Sequence, residues 1–350
     1  MRKRSKGRAG ATPGTVLTIL AASLAACHEP GSSRPDDAEP SLPEQDVVVI
    51  AEDDASRTVA HALGVTRVPR SPKRIASLGV AEELVLLDEH PVASTLFFGE
   101  FRDVVRPYLH AAQPIGTAYG AYAPNIEAVY AARPDLILAS IHNARSYRQL
   151  GDIAPTVVVV PRRPWHDWQY TLEMLHQVAR ALGKEPRARE IETAFRRKAA
   201  RARALLHDQA GGESVATFRV LGRTLRLNGR PQGGGPILYD LLGLRPPRVI
   251  QERHWAAGSR LLFLSEEGML DLAVDRLFVI VDSTLGSART MRGISQREVW
   301  RRLPAVQSGY IYPVSTGAWQ GGRLLGQEQV IDDVVSALTG RTLPKLMDQG

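Results

Sequence analysis

Two glutamates in this 350-residue chain stand at matching places in two similar stretches. In the first, Asn125-Ile126-Glu127 opens a short helical pattern, and Asp135 then precedes the apolar run Leu136 to Ala139. In the second, Ser265-Glu266-Glu267 opens a short helical pattern, and Asp275 precedes the run Leu277 to Val281. Each glutamate lies eight residues before its aspartate. Asn125 and Ser265 are good N-caps, so Glu127 and Glu267 fall in a first helical turn, where exposed N–H groups and the macrodipole favour a carboxylate. Singly, each acid is explained as a helix-end residue. Together, at equivalent points of two similar halves, they present a symmetric pair of negative charges to a two-fold partner.

Catalytic and metal chemistry find no comparable pattern. HExxH, GxSxG and Walker A sequences do not occur, and the triple glycine Gly233-Gly234-Gly235 lacks the lysine that a phosphate cradle needs. The nine histidines are scattered, with no pair at the spacing of a helical or strand chelate, which disfavours direct capture of bare zinc or manganese. His61 and His176 read as partly buried or surface residues. No metal site, no cofactor and no enzymatic activity are expected.

Cys27 is the only cysteine, so it forms no internal disulfide. It follows Leu24-Ala25-Ala26 at the end of an apolar stretch from Val16, which is preceded by Arg2, Lys3, Arg4, Lys6 and Arg8. That stretch is shorter than the roughly 20 residues of a spanning helix and reads as a secretory signal over residues 1–26. The arrangement resembles bacterial lipoproteins, and the resemblance makes Cys27 the acceptor of a diacylglycerol. An extracytoplasmic, lipid-anchored chain is the expectation. Residues 27–45, rich in Pro, Ser, Gly, Asp and Glu, cannot bury enough apolar surface to offset chain entropy and read as a flexible tether. Without the five basic residues of the leader, 39 of the 44 lysines and arginines face 37 acids. The formal charge of +7 is therefore poor support for nucleic-acid binding, which also lacks basic runs interleaved with aromatics.

The elements that position these residues follow from the apolar pattern. Short runs such as RIASL, PVASTL, DLILA, TVVVV, SVATF, RVIQ, LFVIV and YIYPV alternate with helical stretches, which argues for parallel sheets flanked by helices. Between the two sets lies the longest helical region. Leu172, Leu175, Val178 and Leu182 share one face, a break falls at Gly183 and Pro186, and Ile191, Phe195, Ala202 and Leu206 continue the period. The division expected is an N-terminal α/β lobe over 46–170, a helical connector over 171–207 and a C-terminal α/β lobe over 208–350.

With these residues in hand, the chain resembles the iron-siderophore and cobalamin class of periplasmic binding proteins over nearly all of residues 56–340. The matching segments are RTVAHALGVTRVPRSPKRIASLGVAEELVLL, PNIEAVYAARPDLILAS, DIAPTVVVV, LSEEGMLDLAVDRLFVIV and WRRLPAVQSGYIYPVSTGAWQGG. The resemblance implies two Rossmann-like α/β lobes joined by a long interlobe helix, the class III architecture, with a ligand held between the lobe tips. It implies a monomer that serves an ABC permease dimer and its ATPase, docking through salt bridges from Glu127 and Glu267. The ligand implied is a ferric siderophore, a small-molecule metal chelate that brings its own iron ligands.

A cleft between lobes is built from the loops that follow the strands. Tyr119, Tyr122, His142, Arg145 and Trp165 are the expected ligand contacts from the first lobe and its linker side, and Arg226, Arg230, Trp255, Arg260 and Trp319 those from the second. Aromatic faces cover the organic periphery of a chelate, and guanidinium groups pair with its oxygens. Trp319 is singled out because it occupies the family's late aromatic position before Gly-Gly. Relatives that bind catecholates tend to place arginine where this chain has His142 and near Gly234, so a hydroxamate or citrate-type chelate is expected. A cobalamin or haem binder of the same fold, and a lipid-anchored enzyme or signalling module, are the alternatives; fold alone does not separate them.

Overall fold

The computed structural model describes residues 45–95, 103–117, 120–209, 212–251, 261–263, 265, 268–269, 272–283, 286–321 and 323–349. The leader, the tether and Cys27 lie outside the described residues, as do Tyr119, Trp255, Arg260 and Glu267.

The chain enters through an antiparallel sheet of β1 (Val48–Glu52), β2 (Ser56–His61) and β3 (Gly64–Pro69). Its strands were not among those expected, because Val48, Ile50 and Val65 are exposed and blur the apolar alternation. His61 ties this sheet to the body of the protein. Its Nδ1 accepts from the amides of Leu63 and Val158, its Nε2 meets the Thr66 hydroxyl at 3.0 Å, and it is fully buried rather than superficial.

The first half is then built from β4 (Ile75–Leu78), α1 (Ala81–Leu86), β5 (Ala93–Ser94), β6 (Gln113–Pro114), β7 (Gly116–Thr117), β8 (Gly120–Pro124), α2 (Ile126–Ala131), β9 (Leu136–Ser140), α3 (Tyr147–Gly151) and β10 (Thr156–Val159). Five of these strands form an all-parallel sheet in the order β10-β9-β4-β5-β6, and all but the edge strand β6 are buried on both faces, as continuous apolar runs such as LILAS and TVVV require. The strand order reverses between β4 and β9, and in such sheets the crevice beyond the carboxyl ends at that point is where ligands bind.

Two helices, α4 (Tyr170–Leu182) and α5 (Glu185–Gln209), connect the halves. They break at Gly183, which takes a positive φ of 70° and leaves no room for a β-carbon beneath the Arg57 guanidinium. The second half carries β11 (Val215–Leu221), β12 (Thr224–Asn228), β13 (Leu261–Phe263), β14 (Arg276–Val281), α6 (Ser287–Ser295), α7 (Glu298–Arg301), α8 (Pro304–Gln307), β15 (Ile311–Val314), α9 (Thr316–Gly321) and α10 (Leu324–Thr339). Its sheet has the order β13-β12-β11-β14-β15, with β11, β14 and β15 parallel. Here the structure departs twice from the sequence reading. RVIQ is helical, since Pro246-Pro247 starts a turn and the amides of Ile250 and Gln251 both donate to the Pro247 carbonyl. The neighbour of β11 is instead its own hairpin partner β12, antiparallel to it.

The expected α/β architecture of two sheet-centred halves is present, and the two pack into one compact unit. Helix α10 returns across the connector to lock them. Lys198 of α5, buried to 2% side-chain exposure, reaches Glu328 at 2.6 Å and Asp332 at 3.0 Å on α10. Gln327 meets the Thr171 hydroxyl and the Trp168 carbonyl. Among the described residues no helix is long and apolar enough to cross a membrane.

Candidate functional site

The described parts of the two glutamate stretches correspond at their caps and their aspartates. Asn125 caps α2 by accepting from the Ala128 amide at 3.0 Å, and Ser265 accepts from the Gly268 amide at 3.1 Å. Glu127 is exposed in the first turn of α2. Asp135 accepts from the amides of Lys73 and Arg74 just before β4, while Asp275 accepts from the amide and hydroxyl of Ser214 just before β11. Each aspartate thus fixes the start of the strand next to its own.

At the reversal point of the first sheet, Asn143 donates to the Leu78 carbonyl at 3.1 Å, stitching the end of β4 to the turn that follows β9. That turn, Ile141–Ser146, carries half-buried His142 and exposed Arg145. Tyr122 is placed by its backbone, within β8. The segment after β10 brings Trp165 to the surface at 51% exposure. Residues Pro164, His166, Asp167, Trp168 and Gln169 face Arg230, Pro231, Tyr239, Asp240 and Ile250 across a cavity of about 550 Å³. This cavity joins a loop of the first half to the loop after β12. A second cavity between the halves, of about 460 Å³, is lined by Asp103, Glu328, Asp333 and Asp348 against Lys345, an acidic wall that suits an anionic guest poorly.

The remaining contacts expected of the second half separate. Arg230 lines the cavity and is ion-paired to Asp240. Arg226 lies opposite Arg219 in the β11–β12 register, in a polar cluster on one face of the sheet. There Arg219 makes a bidentate pair with Asp282 and donates to Gln320 Oε1. Burial and the neighbouring Arg219 push the Arg226 guanidinium below its usual range, and Asp282 opposes them. Thr217 Oγ1, both ends of the Asn228 amide and Gln320 Nε2 are buried without a hydrogen-bond partner, and Thr217 and Asn228 are each 1% exposed. Buried polar groups are rarely left so. Arg219, Asn228 and Gln320 were not among the expected contacts. The signal was there: Thr-x-Arg in one strand and Arg-x-Asn in the next put all four side chains on one sheet face.

Trp319 is a correction. Its ring is 1% exposed, stacked on Phe278 at 4.8 Å, with its Nε1–H donated to Asp333 at 2.8 Å. A β-carbon on Gly234 would sit 2.5 Å from the indole, and one on Gly233 would meet Asn228 and Gln320. The glycines therefore let a loop close over the tryptophan, and the indole packs the second half together where a ligand contact was expected. Its satisfied N–H is what a buried tryptophan requires.

No group of three His, Cys, Asp or Glu side chains among the described residues could hold a metal ion. Against this geometry, the family model described as periplasmic binding protein matches residues 112–315, more than half of the chain. The chain belongs to the periplasmic binding protein family. Its members are substrate-binding proteins of transporters, and the α/β architecture in two halves is theirs. Among curated relatives, the probable siderophore-binding lipoprotein YfiY of Bacillus subtilis is 26% identical over 291 residues, covering 80% of this chain and 86% of that one. The iron(3+)-hydroxamate-binding protein FhuD of the same organism is 26% identical over 189 residues, 54% of this chain and 58% of that one. Among solved structures, a FhuD-fold periplasmic binding protein component of a ferrichrome ABC transporter from Bacillus subtilis aligns with a TM-score of 0.67 at 22% identity, over 80% of this chain and 99% of that one. Staphylococcus aureus SirA, complexed with staphyloferrin B, aligns with a TM-score of 0.63 at 23% identity, over 80% and 98%.

Proposed function

We propose that this chain is the extracytoplasmic solute-binding component of an ABC importer, holding a ferric siderophore between its halves and passing it to a permease dimer served by an ATPase. The observation that carries the reading is the cavity of about 550 Å³ where the loops of the two halves meet, in a chain of this family. The relatives named above include a probable siderophore-binding lipoprotein and an iron(3+)-hydroxamate-binding protein, which supports an iron chelate as the cargo.

The chemistry of the second half supports one class of chelate. Arg219 is offset by Asp282 and Arg230 by Asp240. Cations balanced in this way suit the carbonyl oxygens of a hydroxamate or the carboxylates of a citrate-type chelate better than the concentrated charge of a triscatecholate. His142, Arg145 and Trp165, with Tyr119, Tyr122, Trp255 and Arg260, supply the rest of the lining. Cys27 carries the lipid anchor, Glu127 and Glu267 dock the permease, and the protein works as a monomer. Tryptophan quenching on titration with ferric ferrioxamine B, ferric citrate and a ferric triscatecholate tests the reading, with tightest binding expected outside the catecholate. Nanomolar binding of the catecholate alone would overturn the ligand class; a haem or cobalamin absorbance in protein loaded from a mixture would overturn iron.

A further inference from the structure

Helix α1 of the first half and the start of α10 in the second meet through three buried charged side chains. Glu82 accepts from the Leu325 amide, so a carboxyl group from one half meets the first turn of the last long helix of the other. Glu83, 2% exposed, accepts from Arg323 at 2.8 Å. Two carboxyl groups thus lie near one guanidinium away from water, Glu83 bonded to it and Glu82 acting on it by charge. The groups facing Glu82 are Glu83 on its own helix, Arg323 and the Leu325 amide at the start of α10, and, acting on Arg323, the Tyr170 phenol at the start of α4. Glu83 keeps its second oxygen, Oε2, buried and without a hydrogen-bond partner. With both acids ionised, that contact would hold an uncompensated buried negative charge and an unsatisfied acceptor, which proteins avoid by taking up a proton.

We propose that Glu82, Glu83 and Arg323 form a proton-linked clasp between the two halves, closed when Glu82 carries a proton and loosened when it ionises, so that proton uptake tightens the hold of the cleft on its chelate. Burial and the charge of Glu83 raise the Glu82 carboxyl to about 7, ahead of the opposing pull of the Leu325 amide and Arg323. The clasp is a property of the chain alone; its effect on the chelate rests on the transport reading above.

Hydrogen exchange at the amides of residues 324–327 in the ligand-free full-length chain, followed from pH 5.5 to 8.5 and corrected for intrinsic rates, reads the clasp directly. A carboxyl near 7 when closed and at its ordinary 4.5 when open makes protection fall about 30-fold over that range. E82Q should show a flat profile. A wild-type profile as flat as that of E82Q overturns the clasp, and the wild-type measurement stands even if E82Q does not fold. Dissociation of ferric ferrioxamine B and ferric citrate over the same range supplies the second arm: release should quicken with pH in the wild type and not in E82Q. PH-dependent exchange with pH-independent release overturns the coupling to the cleft. Exchange that behaves as expected in a chain that binds neither chelate overturns the hydroxamate and citrate reading and leaves the clasp standing.

Discussion

Asp135 and Asp275 occupy equivalent stations in the two halves. Each precedes a central parallel strand and accepts hydrogen bonds from the residues that lead into the strand beside it, Lys73 and Arg74 in one case and Ser214 in the other. The echo in the sequence is therefore structural at its aspartates. Charge-assisted bonds of this kind are worth about 1.5–3 kcal/mol each, less where solvent competes. Asp135→Ala and Asp275→Ala should each lower the urea midpoint by the equivalent of about 1–3 kcal/mol, with the Ser214 contact the more costly loss. Unchanged midpoints would show that the two strands are registered without them.

The matched glutamates are a separate matter from folding. Glu127 is exposed, and its α2 helix is already capped by Asn125, so Glu127→Ala together with Glu267→Ala should leave chelate affinity intact. Uptake in cells with normal protein levels should be abolished. Undiminished transport would remove the docking role.

The buried ion pair of Lys198 with Glu328 joins the connector to α10, and Leu346 also donates its amide to Glu328. Removing the cation leaves the Glu328 carboxylate buried without a cation, a loss of about 3–5 kcal/mol. Thermal melting of Lys198→Met should show a large fall, partly restored by adding Glu328→Gln. A single variant as stable as the wild type would contradict the burial.

Burial holds the His61 imidazole down to about 4, below its ordinary 6.5. The folded chain therefore binds fewer protons than the unfolded one between these values, and stability falls as pH drops through that window, by about 2–3 kcal/mol in all. Glu82 acts with the opposite sign between 4.5 and 7, where the folded chain binds more protons and stability falls as pH rises. Urea unfolding of His61→Asn across pH 4 to 7 should lose the acid-side decline and expose the opposing slope. A decline equal to that of the wild type would assign it elsewhere.

Trp319 separates a packing role from a ligand role. Trp319→Ala empties the space against Phe278 and should cost about 3–5 kcal/mol, whereas Trp319→Phe should keep chelate affinity within a few-fold while melting earlier. Gly234→Ala should destabilise by about 1–3 kcal/mol through its clash with the indole. A large affinity loss in Trp319→Phe at undiminished stability would restore the ligand assignment.

Period and composition alone determined the broad plan of this protein. The apolar runs LILAS and TVVV read as strands because side chains buried on both faces of a parallel sheet leave no alternation. The helical spacing of Leu172, Leu175 and Val178 read correctly as a packed face, and the caps at Asn125 and Ser265 were legible because capping is settled within three residues. Tertiary structure decided what depends on partners distant along the chain. Arg323 finds Glu83 240 residues away, and Lys198 finds Glu328 130 residues away. RVIQ and Trp319 each read plausibly by local type. A preceding proline pair turned the first into a helix, and a glycine loop folded over the second, because packing against neighbours outweighs local preference wherever the two compete.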